Sequence, residues 1–485
     1  GRVLTCEQHP DADRLRVTTV DIGSGEAATI VCGAPNVAAG QTVVVATPGT
    51  VMPNGIKIGR AKLRGVVSEG MICSEAELGI SAEADGILAL DDETIAPGTP
   101  ALSVLPIADT VIEFEITPNR PDCLGVYGLA RELHAATGAP LAPPPWEGTT
   151  AERDVAEGNS QGHVISIEIA CPELCPRFTA RVFEDVTVAP SPLWLRARLT
   201  AAGMRPINNV VDITNYVMLA CGHPCHAFDL DHVAGERLVV RRALNGEQVQ
   251  TLDGQTRTLD SEMAVIDDDD GPTSIAGVMG GARSEVQEAT TRVLFEAASW
   301  IGPNIHRTAS QLALWSEAST RFAKGLAPEQ ALQAQELGTR LMLELTGARL
   351  AGRAVDAGPF AGSEQPAPVI HLAAAAAERL LGLAVEPAEQ RARLTALGFT
   401  VTDAGDGDGF EITVPSFRRG DVTRPADLIE EIGRFHLDEL PATLPRRRGA
   451  AGRLSAHQQA RRRALDALID RGAHEIVGWS FTSPD

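Results

Sequence analysis

The chain has 485 residues, 44% hydrophobic and 22% charged, a globular composition that excludes disordered and membrane-embedded classes. At roughly 100–200 residues per domain, this length implies about three or four domains. The 42 Lys and Arg stand against 64 Asp and Glu, a net charge of −22, which argues against coating nucleic acid through bulk counterion release but leaves room for a local basic groove.

Only Lys57, Lys62 and Lys324 are lysines, so 39 of the 42 basic residues are arginine. Eight cysteines spread over so long a chain do not make the disulfide framework of a small secreted domain. The first residues, GRVLTCEQHPDADRLRV, hold no apolar leader, and no run of about eighteen apolar residues occurs. A cytoplasmic protein with no membrane contact is therefore expected. The chain lacks an initiator Met and stops just after the apolar EIVGW, so it reads as part of something longer.

Residues 1–104 alternate short β-rich runs (RVTTVDIG, ATIVCG, QTVVVATPG, GMICSE) with Gly, Pro and Asn turns, the pattern of a small barrel or sandwich. A helix is expected over 124–137, with Leu124, Leu129, Leu133 and Ala136 near one face, ending at Gly138. The stiff APLAPPPWEG then reads as a linker. From about 163 to 352, strands (SIEIA, TARVFEDV, RLVVRRA, MAVID, TRVLFEA) mix with helices (WLRARLTAAG and 328–346), an α+β pattern. Near Pro366 a further unit begins with AAAAAERLLG and PAEQRARLTALG as short helices, then a hairpin, FTVTDAGDGDGFEITV. Its Asp/Gly loop lacks the EF-hand register and is read as a turn. Another helix is expected from about 426 to 436, and a basic helix after Arg446–Arg448.

Several clusters hold residues capable of chemistry. In RRGDVTRPADLIEEIGRF, the spacing puts Asp427, Glu430 and Glu431 on one side of a helix, opposite Leu428, Ile429 and Ile432, with Asp421 just upstream. Crowded carboxylates suit Mg2+. They equally suit a solvated first turn that complements the helix dipole, with Glu430 pairing to Arg434. The segment CGHPCHAFDLD carries Cys221, His223, Cys225, His226 and Asp229; with Cys171 and Cys175 it offers zinc ligands, although without the usual knuckle context. His226 is alternatively a structural histidine or a polar group lining a pocket. Asp267–Asp270 reads as a solvated hairpin tip, and the glycines of AGVMGG, 276–281, allow close backbone approach to a ligand. No Ser-His-Asp elbow, kinase set or HExxH helix is present.

Longer strings carry a resemblance. HPDADRLRV, VCGAPNV and RGVVSEGMICSEAELG resemble a tRNA-binding module; EITPNRPDCLGVYGLARELHAATG resembles the connector that follows it; and SPLWLRARLTAAGMRPINNVVDITNYVMLACGHPCHAFD, AGVMGG and VLFEAASW resemble an editing domain. VPSFRRGDV and DLIEEIGRF resemble a small domain with magnesium ligands. Together, in this order, they resemble the bacterial phenylalanyl-tRNA synthetase beta subunit family.

The resemblance implies a multidomain α+β architecture. It consists of an OB-fold β-barrel over 1–104, a helical connector and Pro-rich linker over 105–160, an α+β editing domain over 161–355, a small α/β winged-helix-like domain over 366–442, and the start of a catalytic-like domain over 450–485. The extreme N-terminus and the rest of the catalytic-like and anticodon-binding domains are expected outside this chain. By resemblance, Thr214, Asn215, His226, Gly280 and Glu296 form an editing pocket that hydrolyses mischarged tyrosyl-tRNA. Glu296 would accept the tyrosine hydroxyl, and His226 would orient water or act as a base.

The family also implies Mg2+ shared with an alpha subunit, with Asp421, Asp427, Glu430 and Glu431 as the beta-side ligands, and ATP as substrate of an assembled enzyme of two alpha and two beta subunits acting on tRNA(Phe), with no DNA partner. Lys57, Arg60, Lys62 and Arg64 are candidate tRNA contacts. The sequence departs from the family pattern at His223, where glutamine is usual, at Phe435-His436-Leu437, where a Gly-Tyr pair is usual, and in SEASTRFAKGL, which replaces TEASYRFERGV. The alternatives are a stand-alone tRNA-binding protein with a decayed editing pocket, and a metal-dependent hydrolase built on the Cys/His segment.

Overall fold

In the computed structural model, residues 1–80, 86–90, 92, 94–106, 109–147, 165–405, 409–440 and 452–481 are described. The chain forms two compact units, 1–435 and 436–485. The first is a mixed α/β assembly with several apolar cores.

At its N-terminal end, antiparallel strands Ala28–Cys32, Arg16–Asp21, Arg2–Gln8, Thr42–Val43 and Ala89–Leu90 form one sheet, in that order. Val3, Val20 and Ile30 fill its core because alternate residues of a strand face the same side. A separate hairpin, Ala61–Leu63 with Val66–Ser68, turns through Arg64 (φ 46°) and Gly65 (φ 95°). Two consecutive left-handed residues match the twist of a two-residue hairpin loop, and glycine takes one of them without strain.

Residues 165–357 build two five-stranded sheets and a small antiparallel pair, Gln248–Gln250 with Thr256–Thr258. One runs His226–Asp229, Val293–Ser299, Arg177–Glu184 and Arg349–Leu350, with Val355–Ala357 also paired to Arg177–Glu184. The other runs Ser166–Ile169, Arg237–Arg242, Ala264–Asp268, Gly271–Ile275 and Met279–Gly280, with only its first pair parallel. Strand Val293–Ser299 is buried along its whole length and divides its residues by parity. Leu294 and Ala298 join a core with Phe178, Phe228, Val265 and Trp300. Val293, Phe295 and Ala297 join another, with Ile213, Val217, Leu337 and Leu341 from helices Asn209–Cys221 and Glu329–Thr346.

The last part of this unit is a three-stranded sheet, Val369–Leu372, Phe410–Thr413 and Thr400–Asp403, in that order. Helices Ala374–Leu381, Pro387–Ala396 and Pro425–Gly433 surround a core containing Leu372, Leu394, Ile412, Leu428 and Ile432. The middle of the Asp/Gly loop lies outside the described residues. The second unit contains the helix Ala456–Ile469, which starts at the side-chain cap of Ser455; Arg446–Arg448 lie outside the described residues.

Two expectations need correction, and the zinc alternative gains no support. The connector helix is Val126–Thr137, preceded by a 3-10 turn at Pro121–Leu124. Its expected apolar face is not its buried face: Leu133 is 61% exposed, while Gly128 and Ala135 are buried. Charge explains the rotation. Arg120 donates to both oxygens of buried Asp122 at 2.9 Å and pairs with Glu132, Arg434 reaches Glu132 at 2.7 Å, and Arg131 lies 3.6 Å from the Phe417 ring centroid. Burial alone would raise the Asp122 carboxyl, but the Arg120 fork outweighs it and holds the group below its usual range.

The Asp267–Asp270 run is a hairpin tip that is not wholly solvated. Asp268 is buried and receives both Nη atoms of Arg283, at 2.9 and 2.7 Å, while Asp267 takes Arg241 at 2.7 Å. The run of four acids holds three ion pairs, the third between the exposed Asp269 and Arg237 at 3.6 Å. Finally, Cys171 and Cys175 pack in one core and Cys221 in the other, and among the described residues no metal-binding group forms around them.

Candidate functional site

Strand pairing assembles the site. His226 opens the strand His226–Asp229 and stands directly opposite Glu296 in the antiparallel register. Register partners project to the same side of a sheet. Glu296 therefore shares the face of Leu294 and Ala298, and His226 the face of Phe228, whose ring meets the imidazole edge-on at 4.5 Å. That face looks toward the second sheet, where Met279–Gly280 closes the gap. Helix Asn209–Cys221, capped by the Asn208 side chain on the Val211 N–H, contributes Thr214, Asn215 and Met218.

The result is a cavity of about 230 Å³ lined by Thr214, Asn215, His226, Gly280 and Glu296 together. Its size falls below the ~300–1,000 Å³ usual for drug-sized ligands and suits a single side chain better than a nucleotide.

Polar groups in this cavity lack partners. Glu296 is 5% exposed, and among the described residues no basic side chain pairs with it. Burial pushes its carboxyl up to about 8, so at neutral pH it is mostly a neutral acid, able to donate as well as accept. Burial drives His226 the other way, down to about 4, leaving a neutral imidazole whose buried Nε2 has no hydrogen-bond partner. Thr214 is 9% exposed and spends its proton on the Val211 carbonyl at 2.7 Å. A Cβ on Gly280 would lie 2.5 Å from His226 Cε1 and 2.7 Å from its Nε2, so glycine is what lets the imidazole stand in the cavity.

Sequence reasoning missed other lining residues, among them Leu252, Met279, Trp300, Ser316 and Glu317. Trp300 followed VLFEAAS within the quoted string, and the Ser-x-x-Ser spacing of Ser316 was a readable helix cap. The approach of Leu252 across sheets carried no local signal. His223, close in sequence, is fully buried with both ring nitrogens unpartnered and its edge on Phe322; burial holds it down near 4.

The four acids of the other cluster separate. Asp421, Asp427 and Glu430 border a second cavity, of about 740 Å³, which Lys324 and Arg419 also line. Glu431 instead turns inward, 4% exposed, to Arg418 and to Arg434 at 2.8 Å. Arg418 also holds Asp421 at 2.9 Å, and Asp427 caps the backbone N–H groups of Thr423 and Arg424 at 2.9 and 3.0 Å. Arg434 thus serves Glu431 rather than Glu430. No three of the four acids bring ligand atoms within 4.8 Å of one another; among the described residues the trio that does is Asp122, Cys123 and Glu132, which Arg120 already engages. In this chain alone the acids do not fit a preformed ion site.

Lys57, Arg60, Lys62 and Arg64 are all exposed, three of them on or beside the Ala61–Leu63 hairpin, and Arg60 pairs with Glu69 at 3.0 Å. Leu63 and Val67 are exposed on the same hairpin.

Family models match four successive stretches: a putative tRNA binding domain over 1–100, a B3/4 domain over 174–347, a tRNA synthetase B5 domain over 370–436, and a phenylalanyl tRNA synthetase beta chain CLM domain over 440–485. The phenylalanine--tRNA ligase beta subunit of Moorella thermoacetica is 43% identical over 491 residues, covering 100% of this chain and 59% of its own length. The chain belongs to the phenylalanine--tRNA ligase beta-subunit family.

The beta subunits of Halalkalibacterium halodurans and Geobacillus kaustophilus are likewise 43% identical, with 59% and 60% of their lengths covered. The chain thus spans about three-fifths of these beta subunits. An N-terminal fragment of the phenylalanyl-tRNA synthetase beta subunit from Pyrococcus horikoshii aligns at 13% identity with a TM-score of 0.35, over 68% of this chain and 90% of that one. No described helix is long and apolar enough to cross a membrane.

Proposed function

We propose that the chain proofreads for a phenylalanine--tRNA ligase, hydrolysing tyrosyl-tRNA in the cavity between its two central sheets. The observation that carries this reading is Glu296: a buried, unpaired carboxyl lining an otherwise largely apolar, amino-acid-sized cavity. A hydrophobic pocket cannot strongly reject an isostere that merely adds a hydroxyl, so tyrosine escapes selection at a phenylalanine site and needs a second one. A site with a polar group waiting for that hydroxyl inverts the preference, because phenylalanine leaves the group unsatisfied.

In this reading the tyrosine ring lies between the apolar walls with its hydroxyl on Glu296. The neutral acid accepts the phenol proton through its carbonyl oxygen, or donates its own to the phenol oxygen. The ester then lies near the unpartnered Nε2 of His226, which at neutral pH is free to orient a water or take its proton.

The experiment is deacylation. Glu296→Ala should lose most hydrolysis of tyrosyl-tRNA, by roughly a hundredfold if one well-placed hydrogen bond supplies about 2–3 kcal/mol, while circular dichroism stays unchanged.

The remaining assignments rest on the family. Residues 1–104 would be an OB-fold module touching tRNA(Phe) through Lys57, Arg60, Lys62 and Arg64; 105–160 a connector; 161–355 the editing domain; 366–442 a winged-helix-like domain; and 450–485 the start of a catalytic-like domain. ATP-dependent attachment of phenylalanine would belong to an alpha subunit in a cytoplasmic assembly of two alpha and two beta chains. The family's Mg2+ would be a property of that assembly, needing ligands from the partner and Glu431 released from Arg418.

A further inference from the structure

The lining of the editing cavity contains two carboxylates and no lysine or arginine. Glu296 is buried, 5% exposed. Glu317, the other, has a side chain 65% exposed and so stands toward solvent. An aminoacyl ester has matching ends: a side chain that enters first, and an α-ammonium that stays beside the ester near the mouth. We propose that Glu317 receives the α-ammonium of the aminoacyl group. This assignment rests on the editing reading and adds to it the group that recognises the substrate's charge.

Glu317 is held for such a task. Its helix, Glu317–Phe322, begins at the Ser316 cap, and the Ser316 hydroxyl donates to the Val278 carbonyl at 2.7 Å. That bond ties the helix start to the residue before Met279–Gly280, the strand that walls His226. Arg321, 8% exposed, grips Glu317 Oε2 at 2.6 Å and is itself fixed to the Glu317 and Leu124 carbonyls. The remaining oxygen, Oε1, takes none of these bonds. With His226 neutral, the mouth carries no cation among its lining residues to repel an ammonium. A carboxylate held on one oxygen with the other free is suited to accept a charge-assisted hydrogen bond.

Two acyl groups on the same tRNA test this in the intact protein: tyrosyl, and its desamino analogue, which lacks only the ammonium. Glu317→Gln should raise KM for tyrosyl-tRNA and lower kcat/KM about tenfold, since the pair is solvent-exposed and worth little more. Hydrolysis of the desamino ester, already slow in the wild type, should be the same in the variant. Glu317→Asp should recover part of the loss for tyrosyl-tRNA only. Equal loss on both esters would show a structural role and overturn the assignment, as would no loss on either. Wild-type protein that hydrolyses no tyrosyl-tRNA would overturn the editing reading, and the role of Glu317 with it; normal wild-type turnover with an indifferent Glu317→Gln overturns Glu317 alone.

Discussion

At the scale of single residues, burial sets the charge states of the cavity, and those charge states set how stability depends on pH. Glu296 titrates near 8 in the folded chain against 4.5 ordinarily, and His223 and His226 near 4 against 6.5. Between pH 4.5 and 6.5, raising pH ionises Glu296 only in the unfolded chain, which costs stability. Over the same interval the unfolded chain loses two imidazole protons that the folded chain never held, which adds stability. Two groups outweigh one, so their combined contribution rises to about pH 6.5. Above that only Glu296 remains, and stability falls, on the order of 1 kcal/mol per pH unit, until about pH 8.

Glu296→Gln should abolish that alkaline fall in urea-midpoint measurements; an equally steep fall in the variant would contradict the account. Gly280 makes a sharper steric prediction. Gly280→Ala places a methyl where His226 stands, so hydrolysis should drop at least about tenfold with the melting temperature little changed.

At the scale of elements, buried charge decides what hydrophobic periodicity does not. Helix Pro425–Gly433 buries Leu428, Ile429 and Ile432 as its spacing indicated, yet Glu431 goes in with them because Arg418, 2% exposed, waits there. Arg418→Met should destabilise the unit by about 3–5 kcal/mol, leaving Glu431 without that partner and Asp421 unpaired. Loss of less than about 1 kcal/mol in chemical denaturation would show the network to be dispensable.

The same effect explains the connector helix, whose apolar stripe lost to the Arg120, Glu132 and Arg434 contacts. Strands were legible where they were long and apolar: SIEIA, RLVVRRA, MAVID and TRVLFEA all lie on observed strands. The register that sets His226 against Glu296 was not, because those residues are 70 positions apart in sequence and register is a tertiary choice.

At the scale of the whole molecule, net charge proved a poor guide to local surface. Residues 1–104 carry 7 basic and 13 acidic side chains, yet Lys57, Arg60, Lys62 and Arg64 gather within eight positions. From 417 to 485 the balance is 12 basic to 10 acidic. Acidity is thus spread over other faces and does not forbid a confined basic contact, which salt would weaken.

The five residues proposed for editing, drawn from distant strings, converge on one cavity, whereas the four acids of Pro425–Gly433 and its approach do not gather into one ion-binding group. That contrast has a physical basis: the cavity is walled by two sheets of this chain, while Asp421, Asp427 and Glu431 are drawn apart by Arg418, Arg424, Arg434 and backbone N–H groups. In the proposed reading Glu296 makes this cavity a tyrosine sieve. Its most direct test is deacylation of tyrosyl-tRNA and phenylalanyl-tRNA by the wild type and Glu296→Ala, side by side. The wild type should clear the tyrosyl ester alone and fast, and the variant should lose that preference; undiminished, tyrosine-selective hydrolysis by Glu296→Ala would contradict the role of Glu296.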